Sequence, residues 1–252
     1  MADVAPSLDQ LRAEIDQIDD ALVRLLGQRV EIGRRVAAAK GDATGPFLRP
    51  GREAAILRRL VDKGLGQVPP MVVERIWREI LAANLARQVD PLTVVWDPSG
   101  TGSVLEQARD RGGISTRVEL VATAAAALEA VVSGRATLAV LPALRDSEWR
   151  WWPLLLADRT PKPRIIARLP FFGAGVDSVG VAAQEPDSSG DDISYFAAPG
   201  ELDGALDTAT GPDGRVWSLL SVDGFVGQDG AHHGHIPVGA YPLGAHARPY
   251  SP

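Results

Sequence analysis

Leu8, Leu11, Ile15, Ile18, Leu22 and Leu25 recur at alternating spacings of three and four residues. That spacing lays one apolar stripe along a single helix face through several turns. With Ser7 or Asp9 as its starting cap, the pattern runs on through Ile32 and Val36 to Lys40 and stops at Gly41. It predicts a first helix of about 33 residues, roughly 50 Å long. Such a rod is too long for a small monomeric domain, so its stripe predicts packing against a second chain. The stripe position after Leu25 is Arg29. A cation on an apolar seam is costly unless something pairs with it. Two readings are open: an ion pair with an acid from another helix, or contact with a bound ligand. Lys40 lies on nearly the same face about 16 Å further on, and Arg12 flanks the stripe about 25 Å before Arg29. One helix cannot bring Arg12 and Arg29 to one small molecule, but two antiparallel copies can. The pattern predicts an intertwined homodimer with a shared site.

Two further helices are expected, one between Gly51 and Gly64 and one from Pro69-Pro70 to about Gln88. Arg52 and Glu53 open the former, and Asn84 and Gln88 stand one turn apart on the latter. Taken singly these four read as exposed surface. Together with Arg12, Arg29 and Lys40 they would line a polar pocket inside a helical bundle. Its cation excess suits a small dianion, because arginine binds carboxylates with paired hydrogen bonds. QVDP at 88–91 ends the helical periodicity. The expected domains are therefore 1–90, all-α, and 91–252, α/β. The first has net charge +1 and the second −7.

That overall acidity argues against a nucleic-acid partner. With no cysteine, thiol catalysis, disulfides and cysteine-held metals are excluded. The opening MADVAPSLDQ lacks a cationic segment followed by an apolar core, and no stretch of about 18 uninterrupted apolar residues exists. A cytoplasmic protein without a membrane partner is expected.

In the second half, LTVVW (92–96), 118–121 and TLAVL (137–141) read as strands, with helices over 104–109 and 124–132. PRIIARLP and 177–183 are strand-like, and DSSGDD (187–192) reads as a polar turn or loop. Residues 226–252, rich in Gly, His and Pro, are expected to pack poorly. His232, His233 and His235 are read as a solvated cluster and no metal is assigned. GTGS (100–103) is a weak anion-cradle signal. Trp149, Trp151 and Trp152 form either a docking patch or core.

The motif LxxLRxEIDxIDxxLVxLLxxR, Leu8 to Arg29, then Lys40, Arg52-Glu53 and WREILAANLARQ (77–88) resembles the all-helical chorismate mutase family. The resemblance covers the whole of 1–90 and implies an intertwined dimer of three-helix chains. It implies that Arg29, with Arg12 from a partner chain, holds the two carboxylates of chorismate. Lys40 and Gln88 would donate to the ether oxygen, Glu53 would accept from the ring hydroxyl, and Arg52 and Asn84 would complete the carboxylate contacts. Arg49 stands where that family often has an acid, and Asn84 where it often has serine. The reaction, chorismate to prephenate, is an intramolecular rearrangement that needs no cofactor.

Residues 92–145 are similar to the opening of the prephenate dehydratase domain, a periplasmic-binding-like α/β fold, through VVWDPSGTGSVLEQA and ALEAVVSGRATLAVLPA. SLLSVDGFV and PVGAYPL resemble the regulatory module that follows it. The Thr-Arg-Phe signature of that family is missing, the nearest stretch being DDISYF (191–196). The second domain is therefore expected to be catalytically silent. A bifunctional mutase–dehydratase and a non-catalytic sensor of an aromatic-pathway ligand are the alternatives.

Overall fold

The computed structural model describes residues 6–39, 46–63, 68–145, 148–173, 177–227 and 236–250. The chain forms two compact units, Met1–Gly45 and Pro46–Pro252. In the first, helix α1 spans Leu8–Ala39. Ser7 is its cap: the Gln10 N–H donates to Ser7 Oγ at 3.2 Å, and the Ser7 N–H donates to Gln10 Oε1 at 2.8 Å. This reciprocal pair satisfies two backbone donors that the first helical turn leaves open. The apolar stripe is uncovered, with Leu8 64 %, Ile18 59 % and Leu25 52 % exposed. A contiguous apolar face of that kind marks an interaction surface.

The second unit begins with α2 (Pro50–Asp62) and α3 (Pro70–Ala86), each with proline in its first turn. Proline is at home there because its missing N–H would have had no helical partner. Residues next to α2 supply no side-chain cap. Asp187, distant in sequence, supplies it instead. Its carboxylate accepts from the Gly51 N–H at 2.9 Å, the Arg52 N–H at 3.1 Å and Arg49 Nε at 3.1 Å.

After these helices come β1 (Leu92–Val95), α4 (Ser103–Gly112), β2 (Arg117–Leu120), α5 (Ala124–Val132) and β3 (Leu138–Pro142). A 3-10 helix over Trp152–Leu156 precedes β4 (Arg164–Leu169), β5 (Ser178–Ala182), β6 (Asp192–Pro199), β7 (Asp207–Thr210), β8 (Val216–Asp223) and β9 (Tyr241–Ala247). All nine strands join one mixed sheet in the order β2-β1-β3-β5-β4-β9-β6-β8-β7. The first three are parallel and linked through α4 and α5. Alternation along them builds two cores. Leu92, Val94, Ala139 and Leu141 pack with α5 and with Trp151 and Trp152. Val95, Leu138 and Val140 pack with Val104 and Ala108 of α4. Helices cover both faces of β1 and β3, which is why those two read as nearly continuous apolar runs, whereas edge strand β2 is largely exposed.

The elements expected up to Pro142 are present with ends shifted by a few residues. For two of the three tryptophans the choice falls to core: Trp151 and Trp152 are each 1 % exposed, while Trp149 is half-buried. Their indole N–H groups donate to the Pro142 carbonyl at 2.9 Å and to Asp207 Oδ2 at 2.7 Å. Helices α2 and α3 pack against elements beyond residue 91: α3 on α4, and α2 on β4 and β9. The stretch 88–91 lies inside the second compact unit. One expectation is corrected: the whole of 226–252 is not poorly packed, since β9 lies between β4 and β6 with Leu243 fully buried. Gly244 hid that strand, yet it is needed there. Its φ is +133°, and a Cβ would collide with the Ile165 backbone. The histidines at 232, 233 and 235 lie outside the described residues.

His246 in β9 is 2 % exposed, and burial pushes its imidazole down to about 4. An unfolded chain would titrate it near 6.5. The unfolded state thus binds the extra proton first, so stability falls as pH drops from about 6.5 towards 4, by about 3 kcal/mol in all. Urea unfolding across that range is expected to show the decline, and His246→Gln to flatten it. An undiminished slope in the variant would assign the effect to other groups.

Candidate active site

A pocket of about 160 Å3 opens where the start of α2, the C-terminal half of α3 and the α4-covered face of β1 and β3 meet. Its floor is apolar, with Leu48, Ile56, Leu81, Ala82 and Leu138. Its polar wall carries Arg52 and Glu53 from α2 and Asn84 and Gln88 from the end of α3. Four of the seven residues singled out in the sequence are therefore brought together. Arg49, Arg78 and Arg111 also line it.

Glu53 is the most constrained of them. Its Oε2 accepts from Arg78 Nη1 at 2.8 Å and from Arg111 Nη1 at 2.8 Å. Arg78 also donates to Glu74 Oε1 at 3.4 Å, one helical turn earlier. Both guanidinium side chains are 9 % exposed and the Glu53 side chain 17 %. Burial alone would raise the Glu53 carboxyl, but the two arginines outweigh it and hold the group below the usual carboxylate range. Burial, together with the nearby Arg111 charge, draws the Arg78 guanidinium down. Glu74 is moved the other way, its burial exceeding the help it receives from Arg78.

Gln88 is exposed, and its Nε2 donates to the Asn84 carbonyl at 3.2 Å. The second N–H of that amide remains for a ligand. The Arg52 backbone N–H is tied to Asp187, which fixes the first turn of α2. Arg12 and Arg29 belong to α1, in the other compact unit. Arg12 is exposed and pairs with Asp9 at 3.5 Å. Partial burial draws the Arg29 guanidinium below its ordinary value. Lys40 lies outside the described residues. The GTGS loop spends its hydroxyls locally: Thr101 Oγ1 lies 2.9 Å from Ser99 Oγ and 3.0 Å from Ser103 Oγ.

Sequence reasoning missed Arg78 and Arg111. Arg78 carried a signal, since it sits one turn after Glu74 on the inner side of α3. Arg111 carried none, because it meets Glu53 only through the packing of α4 on α3. Among the described residues no group of three or more acidic or histidine side chains is arranged to hold a metal, and no helix is long and apolar enough to cross a membrane.

The site belongs to a helical class: paired polar residues at the start of one helix and the end of another, with guanidinium groups in excess over carboxylates. Residues 11–89 match the family model of chorismate mutase type II. The bifunctional chorismate mutase/prephenate dehydratase of Neisseria gonorrhoeae is 37 % identical over 103 residues, covering 39 % of this chain and 28 % of the relative. The enzyme of the same description from Stutzerimonas stutzeri is 30 % identical over 151 residues, covering 57 % and 40 %. The chain thus spans less than half the length of these relatives. A crystal structure of prephenate dehydratase from Arthrobacter aurescens, in complex with L-Phe, aligns with a TM-score of 0.42 at 13 % identity, covering 62 % of this chain and 90 % of that one.

Proposed function

We propose that the protein is a chorismate mutase, an isomerase converting chorismate to prephenate in the cytoplasm. One observation carries this reading: within the segment matching that family, the fold gathers Arg52, Glu53, Asn84 and Gln88 around a single guanidinium-rich pocket. The reaction breaks a carbon–oxygen bond as a carbon–carbon bond forms, with negative charge growing on the ether oxygen. The site must hold a compact conformer and stabilise that charge. Lys40 and Gln88 donate to the ether oxygen in this proposal. Arg29 and Arg52 hold carboxylates, Asn84 assists, and Glu53, kept ionised by its two arginines, accepts from the ring hydroxyl.

The catalytic form is a homodimer. The uncovered stripe of α1 supports this, since a second copy of the same helix would bury Leu8 through Val36; in this proposal Arg12 of the partner subunit holds the second carboxylate. Residues 1–90 are the mutase domain in function, and 91–252 a dehydratase-like domain without dehydratase activity. The test is a chorismate-consumption assay with separate detection of prephenate and phenylpyruvate, alongside a mass measurement in solution. Prephenate as sole product from a particle of twice 26.7 kDa is expected. Phenylpyruvate would establish the bifunctional reading, no consumption would overturn the enzyme reading, and a fully active monomer would overturn the shared site.

A further inference from the structure

Helix α4 carries Val104, Ala108 and Arg111 at spacings of four and three, which places all three on one helix face. Val104 and Ala108 are buried in the core formed with β1 and β3. Arg111 continues their stripe as a cation where a hydrophobe belongs, its side chain only 9 % exposed. The acid that offsets it comes from before residue 91: Glu53 of α2. Contacts to α3 hold the chain on either side of Arg111. Arg75 donates to Asp110 Oδ1 at 2.6 Å, and Glu79 Oε2 accepts from the Ile114 N–H at 3.0 Å.

The two oxygens of Glu53 are used differently. Arg78 and Arg111 both donate to Oε2. Oε1 accepts from no described residue and is not sealed off by its surroundings, so it is the oxygen open to the pocket. The last torsion of a glutamate side chain is broad and weakly held by its own preferences. One donor on Oε2 would leave the carboxylate free to turn. Two donors, from α3 and α4, fix its direction. The charged groups around it are Arg49 and Arg52 at the start of α2, Glu74 and Arg78 on α3, and Arg111 on α4.

We propose that Arg111, contributed by the half of the chain beyond residue 91, is a positioning residue of the mutase site: bound to Oε2, it aims Oε1 of Glu53 at the ring hydroxyl of the substrate. The inference rests on the mutase reading and adds that the half without dehydratase activity completes the pocket of the other. The ring hydroxyl lies off the bonds that break and form, so its contact is made alike in the bound substrate and in the transition state. Steady-state kinetics of the full chain with chorismate give the test. Arg111→Gln is expected to raise KM about tenfold and to change kcat by less than about twofold. A variant that merely folded less well would lower the apparent kcat and leave KM where it was. The acid limb of the kcat/KM profile is expected to move to higher pH, because burial of Glu53 is then opposed by Arg78 without Arg111. Arg111→Lys, which keeps the charge, should return the limb towards its parent position. Arg109→Gln removes the same charge from an exposed position of α4 and should move neither KM nor the limb. An active parent whose KM is unchanged by Arg111→Gln overturns this inference alone, as does a limb that Arg109→Gln moves equally far. A parent chain that does not consume chorismate overturns the mutase reading and this inference with it.

Discussion

Glu53→Ala is expected to lower the unfolding free energy by about 3–5 kcal/mol. The magnitude follows from what remains behind. Arg78 and Arg111 converge on one carboxylate oxygen at 2.8 Å each, and their side chains are 9 % exposed. Removing the carboxylate leaves two largely buried guanidinium groups facing each other, with only the longer 3.4 Å contact of Arg78 to Glu74 to offset them. The sign with pH is also fixed. A carboxyl held below its unfolded value contributes stability that is present above about pH 4.3 and lost as pH falls through its lower native value. Urea denaturation at pH 7 and again near pH 3 measures both. A loss below about 1 kcal/mol at pH 7 would mean that the arginines find other partners. Because Glu53 also lines the pocket, the same variant should lose activity, and only the stability measurement isolates the ion-pair effect.

Lys40→Ala is expected to reduce turnover of chorismate by 10²–10³-fold, the typical effect of removing one donor aimed at charge that develops in a transition state. Helix content by circular dichroism should be unchanged, since the residue comes at the end of the α1 pattern, beyond Val36. Near-normal turnover would refute the role given to Lys40 and weaken the case for the mutase. The two variants separate two kinds of contribution. Glu53 supports the fold of the pocket as well as its chemistry, whereas Lys40 is asked only for a hydrogen bond.

The helical half was legible because its signals are local. The three-four spacing from Leu8 to Val36, the Ser7 and Gln10 pairing, and Pro50 and Pro70 each specify their own turn of chain. The strands β1 and β3 were legible for a related reason: buried along their whole length, they are short, mostly apolar runs between turn residues. The strands β6 to β9 were not. Their apolar residues alternate with Ser, Thr, Asp and Gly, and β9 carries Pro242, Gly244 and His246, which argue against a strand when read singly. Only pairing with β6, and with β4 at Ile165, makes that sequence a strand.

The same division runs through the site. Arg52, Glu53, Asn84 and Gln88 stood out in the chain because helical spacing places them at helix ends, and the fold brings them to one pocket. The chain alone determined α1, its apolar stripe and the residue types available to a small dianion. Tertiary packing decided that Asp187 caps α2, that Arg111 closes on Glu53, and that α2 and α3 lie against the sheet. The physical reason is range: helical periodicity and capping act over a few residues, whereas a buried charge finds its partner wherever the folded chain brings one within about 3 Å.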